Sequence, residues 1–222
     1  GVFLKPGFGL VASILGIFKS GKKAALIPPD FDLHNVRAIM TNNNIDCLIS
    51  QNVLVPVVSP IQKSFKILVY EQLILEKSQF KPVETDFGIL LFNRISLKGI
   101  LLDGSLVENR IVGAKEILFD NFNFFAIFNP FHHIGLVYEL LLPLFYGGFV
   151  VVQKTNSIKQ KIESILEVSV NVMIISPAIV FQILTYLKYL KNPDPWVSKF
   201  REITVFVYGD HYLLPDVILK TW

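Results

Sequence analysis

Residues Asp86–Arg110 read DFGILLFNRISLKGILLDGSLVENR. The stretch holds two apolar runs, Gly88–Phe92 and Gly99–Leu102, joined by Asn93-Arg94-Ile95-Ser96-Leu97-Lys98. Short apolar runs bounded by polar and turn residues read as buried strands. Asp103-Gly104-Ser105 is a polar break able to cap a helix, and Leu106, Val107 and Ile111 follow it. The order strand, short loop, strand, helix sets the expectation of an α/β protein.

The residues upstream fit that expectation. Val11, Ile14, Leu15 and Phe18 recur at helical spacing, with Gly21 as a stop signal. Ala24–Ile27 is a short apolar run before Pro28-Pro29-Asp30. Leu33, Val36, Ile39 and Met40 form a second amphipathic helix, followed by Asn42-Asn43-Asn44 and a strand at Asp46–Ile49. Alternating helices and strands are the signature of a parallel sheet. The opening GVFLKPGFGLVASILGIFKSGKK holds an apolar run, but Pro6, Gly7 and Gly9 interrupt it and no small-residue cleavage site follows, so it does not read as a signal peptide. Between Gln51 and Pro82 only Lys66–Tyr70 reads as a strand.

Downstream, Phe122–Phe128, Phe149–Val152, Val170–Ile175 and Ile203–Val207 are apolar along their length rather than alternating, as strands covered on both faces must be. Helix-length segments separate them, which a parallel crossover requires. Ile134–Val152 is apolar enough to suggest a membrane span, yet Glu139, Pro143 and Gly147-Gly148 inside it favour a helix that turns into a strand. Asn192-Pro193-Asp194-Pro195 reads as a loop. His132-His133 follow a strand, where open α/β sheets bind ligands. Adjacent histidines point apart and no Cys, Asp or Glu lies at ligand spacing, which argues against zinc; one surface and one packed histidine is the plain alternative.

Composition bounds the possibilities. The chain has 222 residues, 52% of them apolar and 18% charged, so much of it is buried or faces a partner. A net charge of +3 is too small to argue for nucleic acid. The single cysteine, Cys47, excludes an internal disulfide and fits a reducing, cytoplasmic setting. No internal repeat or low-complexity linker divides the chain, so residues 1–222 read as a single domain.

The motifs, taken in order, resemble the adenylate-forming (AMP-binding) enzymes: acyl-CoA synthetases, fatty acyl-AMP ligases and the adenylation domains of nonribosomal peptide synthetases. Gly16-Ile17-Phe18-Lys19-Ser20-Gly21 and Pro28-Pro29-Asp30 resemble the family's early Gly-x-x-Lys-x-Gly and Pro-x-Asp. The family's phosphate loop reads Tyr-Thr-Ser-Gly-Ser/Thr-Thr-Gly-x-Pro-Lys-Gly; Phe92 stands for the aromatic and Lys98-Gly99 for the closing pair. Pro130, His132, Gly135-Leu136, Pro143-Leu144 and Gly147-Gly148 resemble the segment carrying Pro-x-x-His-x-x-Gly-Leu. Pro177 with Leu184 matches the next helix start. Gly209-Asp210 with Leu214-Pro215 matches the turn that reads Gly-Gly-Glu in the family.

The resemblance implies the fold and the site. The expected architecture is a mostly parallel, doubly wound sheet forming part of a large lobe, an incomplete AMP-binding N-terminal domain. Arg94, Ser96, Lys98, Gly99, Gly209 and Asp210 would face the nucleotide and its phosphates. His132, His133, Gly135, Ser176 and Ala178 would line the acyl pocket. The implied reaction is attack of a small carboxylate on the α-phosphate of ATP, with magnesium, giving acyl-AMP and pyrophosphate. The loop departs from the pattern: it is shorter and holds no glycine, although a phosphate cradle needs glycine for close backbone approach and hydroxyls for binding. The chain also stops before the family's downstream nucleotide and catalytic segments. A degenerate or fragmentary domain, inactive alone, is therefore expected. The alternatives are a non-catalytic module completed by a partner chain and a membrane-associated protein.

Overall fold

The computed structural model describes residues 1–75, 86–118, 124–127, 130–152, 157–168 and 170–207. The turn expected at Gly209-Asp210 lies outside them. The chain folds as two compact units, Gly1–Arg110 and Ile111–Trp222, each with its own sheet.

The first unit runs β1 (Val2–Phe3), α1 (Phe8–Lys19), β2 (Lys23–Leu26), α2 (Leu33–Asn42), β3 (Cys47–Ser50), α3 (Val55–Val58), a 3-10 turn (Ser59–Ile61), β4 (Lys66–Val69), α4 (Tyr70–Leu73), β5 (Gly88–Phe92) and β6 (Gly99–Asp103), and enters α5 (Gly104–Leu118). Its strands lie in the order β4-β3-β1-β2-β5-β6. Every neighbouring pair is parallel except the β5–β6 hairpin. The expected strands and helices stand in place, with one addition: the opening apolar run supplies a mid-sheet strand, Val2 pairing with both Leu26 and Ile49. Two residues are too few to show a period, which is why the run carries no strand signal of its own. Short helices also occupy the stretch after Gln51, where the pattern showed only β4.

Helix ends explain several of the punctuating residues. Gly21 has φ 65°, and the Gly21 and Lys22 N–H groups donate to Phe18 and Ile17 carbonyls, the reciprocal bonds of a left-handed C-terminal cap. Asn44, at φ 51°, closes α2 in the same way onto Thr41 and Met40. Asp32 opens α2 by accepting the Asn35 N–H at 2.8 Å. Phe3, Ile27, Val36, Ile39, Met40, Leu48, Val58 and Phe92 form the core between sheet and helices. Each buried side chain of this size stabilises the fold by about 1.5–3 kcal/mol.

The second unit contains β7 (Phe124–Ile127), a π-helix (Gly135–Leu141), α6 (Leu142–Phe145), β8 (Phe149–Val152), α7 (Ile158–Glu167), β9 (Val172–Ile175), α8 (Pro177–Lys188), α9 (Asp194–Phe200) and β10 (Thr204–Val207). The strands order β10-β9-β7-β8, all parallel, as the unbroken apolar runs require. The apolar stretch Ile134–Val152 is π-helix, α-helix and strand. Gly147, at φ 77°, turns the chain, and Gly148 N–H donates to the Pro143 carbonyl at 2.7 Å. Among the described residues no helix is long and apolar enough to cross a membrane. The loop expected at Asn192–Pro195 is shorter than read: α9 begins at Asp194, and Pro195 sits in its first turn, where a missing N–H costs nothing. Ile162, Ile165, Met173, Ile175, Ile183 and Phe200 fill the core.

Candidate functional site

The residues expected to face phosphate lie in the first unit, on the turn between β5 and β6. Its backbone closes on itself. Asn93 N–H donates to the Lys98 carbonyl at 3.0 Å, and Leu97 N–H returns to the Asn93 carbonyl at 2.9 Å. The Asn93 Oδ1 accepts both the Ile95 and the Ser96 N–H at 2.9 Å, an Asx turn. Lys98 N–H donates to the Ser96 Oγ at 3.4 Å. Every N–H from Ile95 to Lys98 is thereby directed at an acceptor inside the turn. An anion nest needs successive N–H groups converging on empty space, so this turn does not fit an ATP phosphate. Leu97 holds φ 53°, where glycine would be usual, and packs against the first core.

Arg94 is engaged as well. Its guanidinium donates to both Asp30 carboxylate oxygens, at 2.7 and 3.1 Å, and stands 5.7 Å from the Phe31 ring centroid. The fork matches a carboxylate as it would match a phosphate, and the carboxylate holds it. The hydrogen bonds from the Arg94 guanidinium keep the Asp30 pKa below its ordinary 3.8. Lys98 and Gly99 are exposed.

The expected acyl-pocket residues lie in the second unit. β7 and β9 are parallel neighbours, so the chain leaving their carboxyl ends, toward His132 and Ser176 respectively, emerges at one end of the sheet. His132 and His133 lie with ring centroids 4.4 Å apart and ring planes tilted by 38°, both partly buried. Backbone N–H of Ile134 donates to the His132 Nδ1 at 3.4 Å, which puts the proton of the neutral ring on Nε2. Burial holds the His132 pKa below its ordinary 6.5, so the ring is neutral at pH 7. Gly135 is buried at the start of the π-helix. The Ser176 carbonyl accepts Ile179 and Val180 N–H groups at the head of α8, and Ala178 beside it is exposed.

Sequence reasoning missed two buried charges in this unit. Glu139, on the π-helix, is fully buried, and Lys161, on α7, nearly so. Burial lowers the Lys161 pKa, and the Glu139 charge opposes that shift. A signal existed: Lys161 lies three residues after Ile158 and four before Ile165, on the apolar face of its helix. In the sequence Asp30 stands out only through the resemblance to the family's Pro-x-Asp, and nothing there signals its pairing to Arg94.

Comparison with known proteins gives the fold its class. No protein-family model matches the sequence, and no curated protein matches it. Solved structures do match. O-succinylbenzoate coenzyme A synthetase (MenE) from Bacillus subtilis, in complex with AMP, superposes with a TM-score of 0.78 at 17% identity, over 96% of this chain and 55% of that one. A long-chain-fatty-acid-CoA ligase (FadD1) from Archaeoglobus fulgidus gives 0.81 at 14% identity, over 99% and 47%. The nonribosomal peptide synthetase FmoA3 gives 0.84 at 14% identity, over 99% of this chain and 24% of that one. The chain thus has the fold of the adenylate-forming enzymes, a mixed α/β architecture with mostly parallel sheets. It spans about half the length of the synthetase and ligase it matches.

Proposed function

We propose that residues 1–222 are the N-terminal part of an adenylate-forming ligase domain whose phosphate turn has lost its ligand, and that the isolated chain forms no acyl-adenylate. On this reading the two units together make one incomplete AMP-binding domain. The fold supports the ancestry; MenE has been solved with ATP and magnesium and with an acyl-adenylate. One observation carries the loss of chemistry: the N–H groups of Ile95, Ser96, Leu97 and Lys98 are all bonded within the turn. Phosphoryl chemistry of this kind depends on donors already aimed at the charge that develops. Here Asn93 and Asp30 take the donors that a phosphate would need. Lys98 remains as a point charge at the turn's end, and His132, His133, Gly135, Ser176 and Ala178 are the proposed remnant of an acyl site. Gly209 and Asp210 complete the proposed nucleotide set.

The test is exchange of labelled pyrophosphate into ATP in the presence of a panel of aliphatic, aromatic and amino-acid carboxylates. The expected result is exchange at the level of a protein-free control. Exchange above that level, lost on Lys98→Ala, overturns the reading.

A further inference from the structure

We propose that the outer edge of β6 docks a second copy of this chain, the two β6 strands pairing antiparallel about Leu101. β6 ends the first unit's sheet, with β5 on one side and no strand on the other among the described residues. The bond from Asn93 N–H to the Lys98 carbonyl marks that pair as a hydrogen-bonded one. In an antiparallel ladder such pairs alternate with non-bonded ones. Following the register Leu91↔Ile100, Leu90↔Leu101, Ile89↔Leu102, the backbone groups of Ile100 and Leu102 turn toward β5. Those of Gly99 and Leu101, and the Asp103 N–H, turn outward.

That outward set is self-complementary. A two-fold axis through Leu101 sets Leu101 opposite its own copy and Gly99 opposite Asp103. The Leu101 pair exchanges two bonds and each Gly99–Asp103 pair adds one, about four in all. Soluble proteins blunt exposed edges with charges or proline. No proline interrupts this edge and its charges stand only at its two ends, Lys98 before it and Asp103 closing it, while Ile100 is 62% and Leu101 46% exposed. The opposite edge strand, β4, opens with a lysine and keeps its Ile67, Leu68 and Val69 half-buried. Because β6 already runs antiparallel to β5, a second β6 continues the same ladder without a change of hydrogen-bond pattern. A five-residue strand pair covers less than the roughly 1,000 Å² of a stable interface, so the dimer is weak.

Sedimentation velocity of the whole chain across ~1–100 µM reads the association. The expected result is a rise from monomer to dimer with concentration, while amide hydrogen exchange slows at Leu101 and Gly99 and stays unchanged at Ile100 and Leu102. Leu101→Pro removes an outward N–H, and Leu101→Lys charges the edge while keeping every backbone donor. Each is expected to raise the midpoint at least about tenfold. Val53→Lys, at an apolar position 61% exposed elsewhere on the first unit, is expected to leave it unchanged. A monomer throughout the range overturns the proposal. So does a dimer that Leu101→Lys and Val53→Lys affect equally, or one in which Leu101 gains no protection.

Discussion

The turn at Asn93–Lys98 and the turn at Pro130–Gly135 both follow the carboxyl end of a strand in a mostly parallel sheet, and they have resolved their polar groups in opposite ways. In the first, polar side chains are exposed and spent on the turn itself: Asn93 holds two backbone donors and Asp30 holds Arg94. In the second, an uncharged His132 accepts one backbone bond and sits partly buried beside His133, ahead of a π-helix whose glutamate is wholly buried. Open α/β sheets bind ligands at strand carboxyl ends, and a donor already bonded within the protein is not free to serve there. The first turn is a self-contained hairpin. The second keeps a neutral imidazole in a sheltered position.

The comparison can be broken most forcefully in the second unit. Lys161→Ala strips a buried cation near a buried carboxylate, and a loss of about 3 kcal/mol in unfolding free energy is expected from urea denaturation. A loss below about 0.5 kcal/mol, the range of ordinary surface substitutions, would mean that these charges are solvated and the contrast between the units is false. Asn93→Ala comes next. It removes the acceptor of two N–H groups at a solvent-exposed turn, so about 1 kcal/mol is expected, together with faster amide exchange at Ile95 and Ser96. Unchanged exchange at those amides would show that the turn is not held by Asn93.

The Asp30–Arg94 pair should matter less still, because both side chains are more than half exposed. Its contribution, under about 1 kcal/mol, is expected to be full above the ordinary carboxyl value of 3.8 and to fade as pH falls through the lower folded value. Asp30→Asn should flatten that part of the stability–pH curve; an unaltered curve contradicts the pairing. The smallest effect concerns His132. Its folded pKa lies below 6.5, so the unfolded chain binds the proton more tightly and stability should decline as pH falls through 6.5. His132→Asn is expected to reduce that slope, and an increased slope would show the imidazole to be stabilised in its charged form.

Much of this architecture is legible from apolar runs alone. Gly88–Phe92, Gly99–Leu102 and the strands of the second sheet announce themselves as unbroken apolar runs. Burial follows for Gly88–Phe92 and Val172–Ile175, but Gly99, Ile100 and Leu101 at the sheet edge and Phe149 of β8 are exposed, so the expectation of a buried strand fails at Gly99–Leu102. Asp103 was legible as a cap, and its Oδ1 indeed accepts the Leu106 N–H at 2.8 Å. β1 was not legible, since two residues hold no period and its neighbours come from Lys23–Leu26 and Cys47–Ser50. The missing glycines of the turn could be seen; the ion pair that occupies Arg94 could not, because Asp30 lies 64 residues away and local sequence carries no signal of that encounter. Lys161 shows the reverse error. Its helical position placed it on the buried face, but a lysine in a polar-looking helix reads as solvated until the packing is known.

The central claim is that the fold has outlasted its phosphate loop. Titrating magnesium–ATP into isotope-labelled chain, while following the backbone amides of Ile95, Ser96, Leu97 and Lys98, tests it most directly. The expected result is no saturable change at these four amides up to millimolar nucleotide, about the weakest binding such a titration can define. Saturable shifts at them, abolished by Lys98→Ala, would show that the turn opens to receive phosphate and would contradict the account.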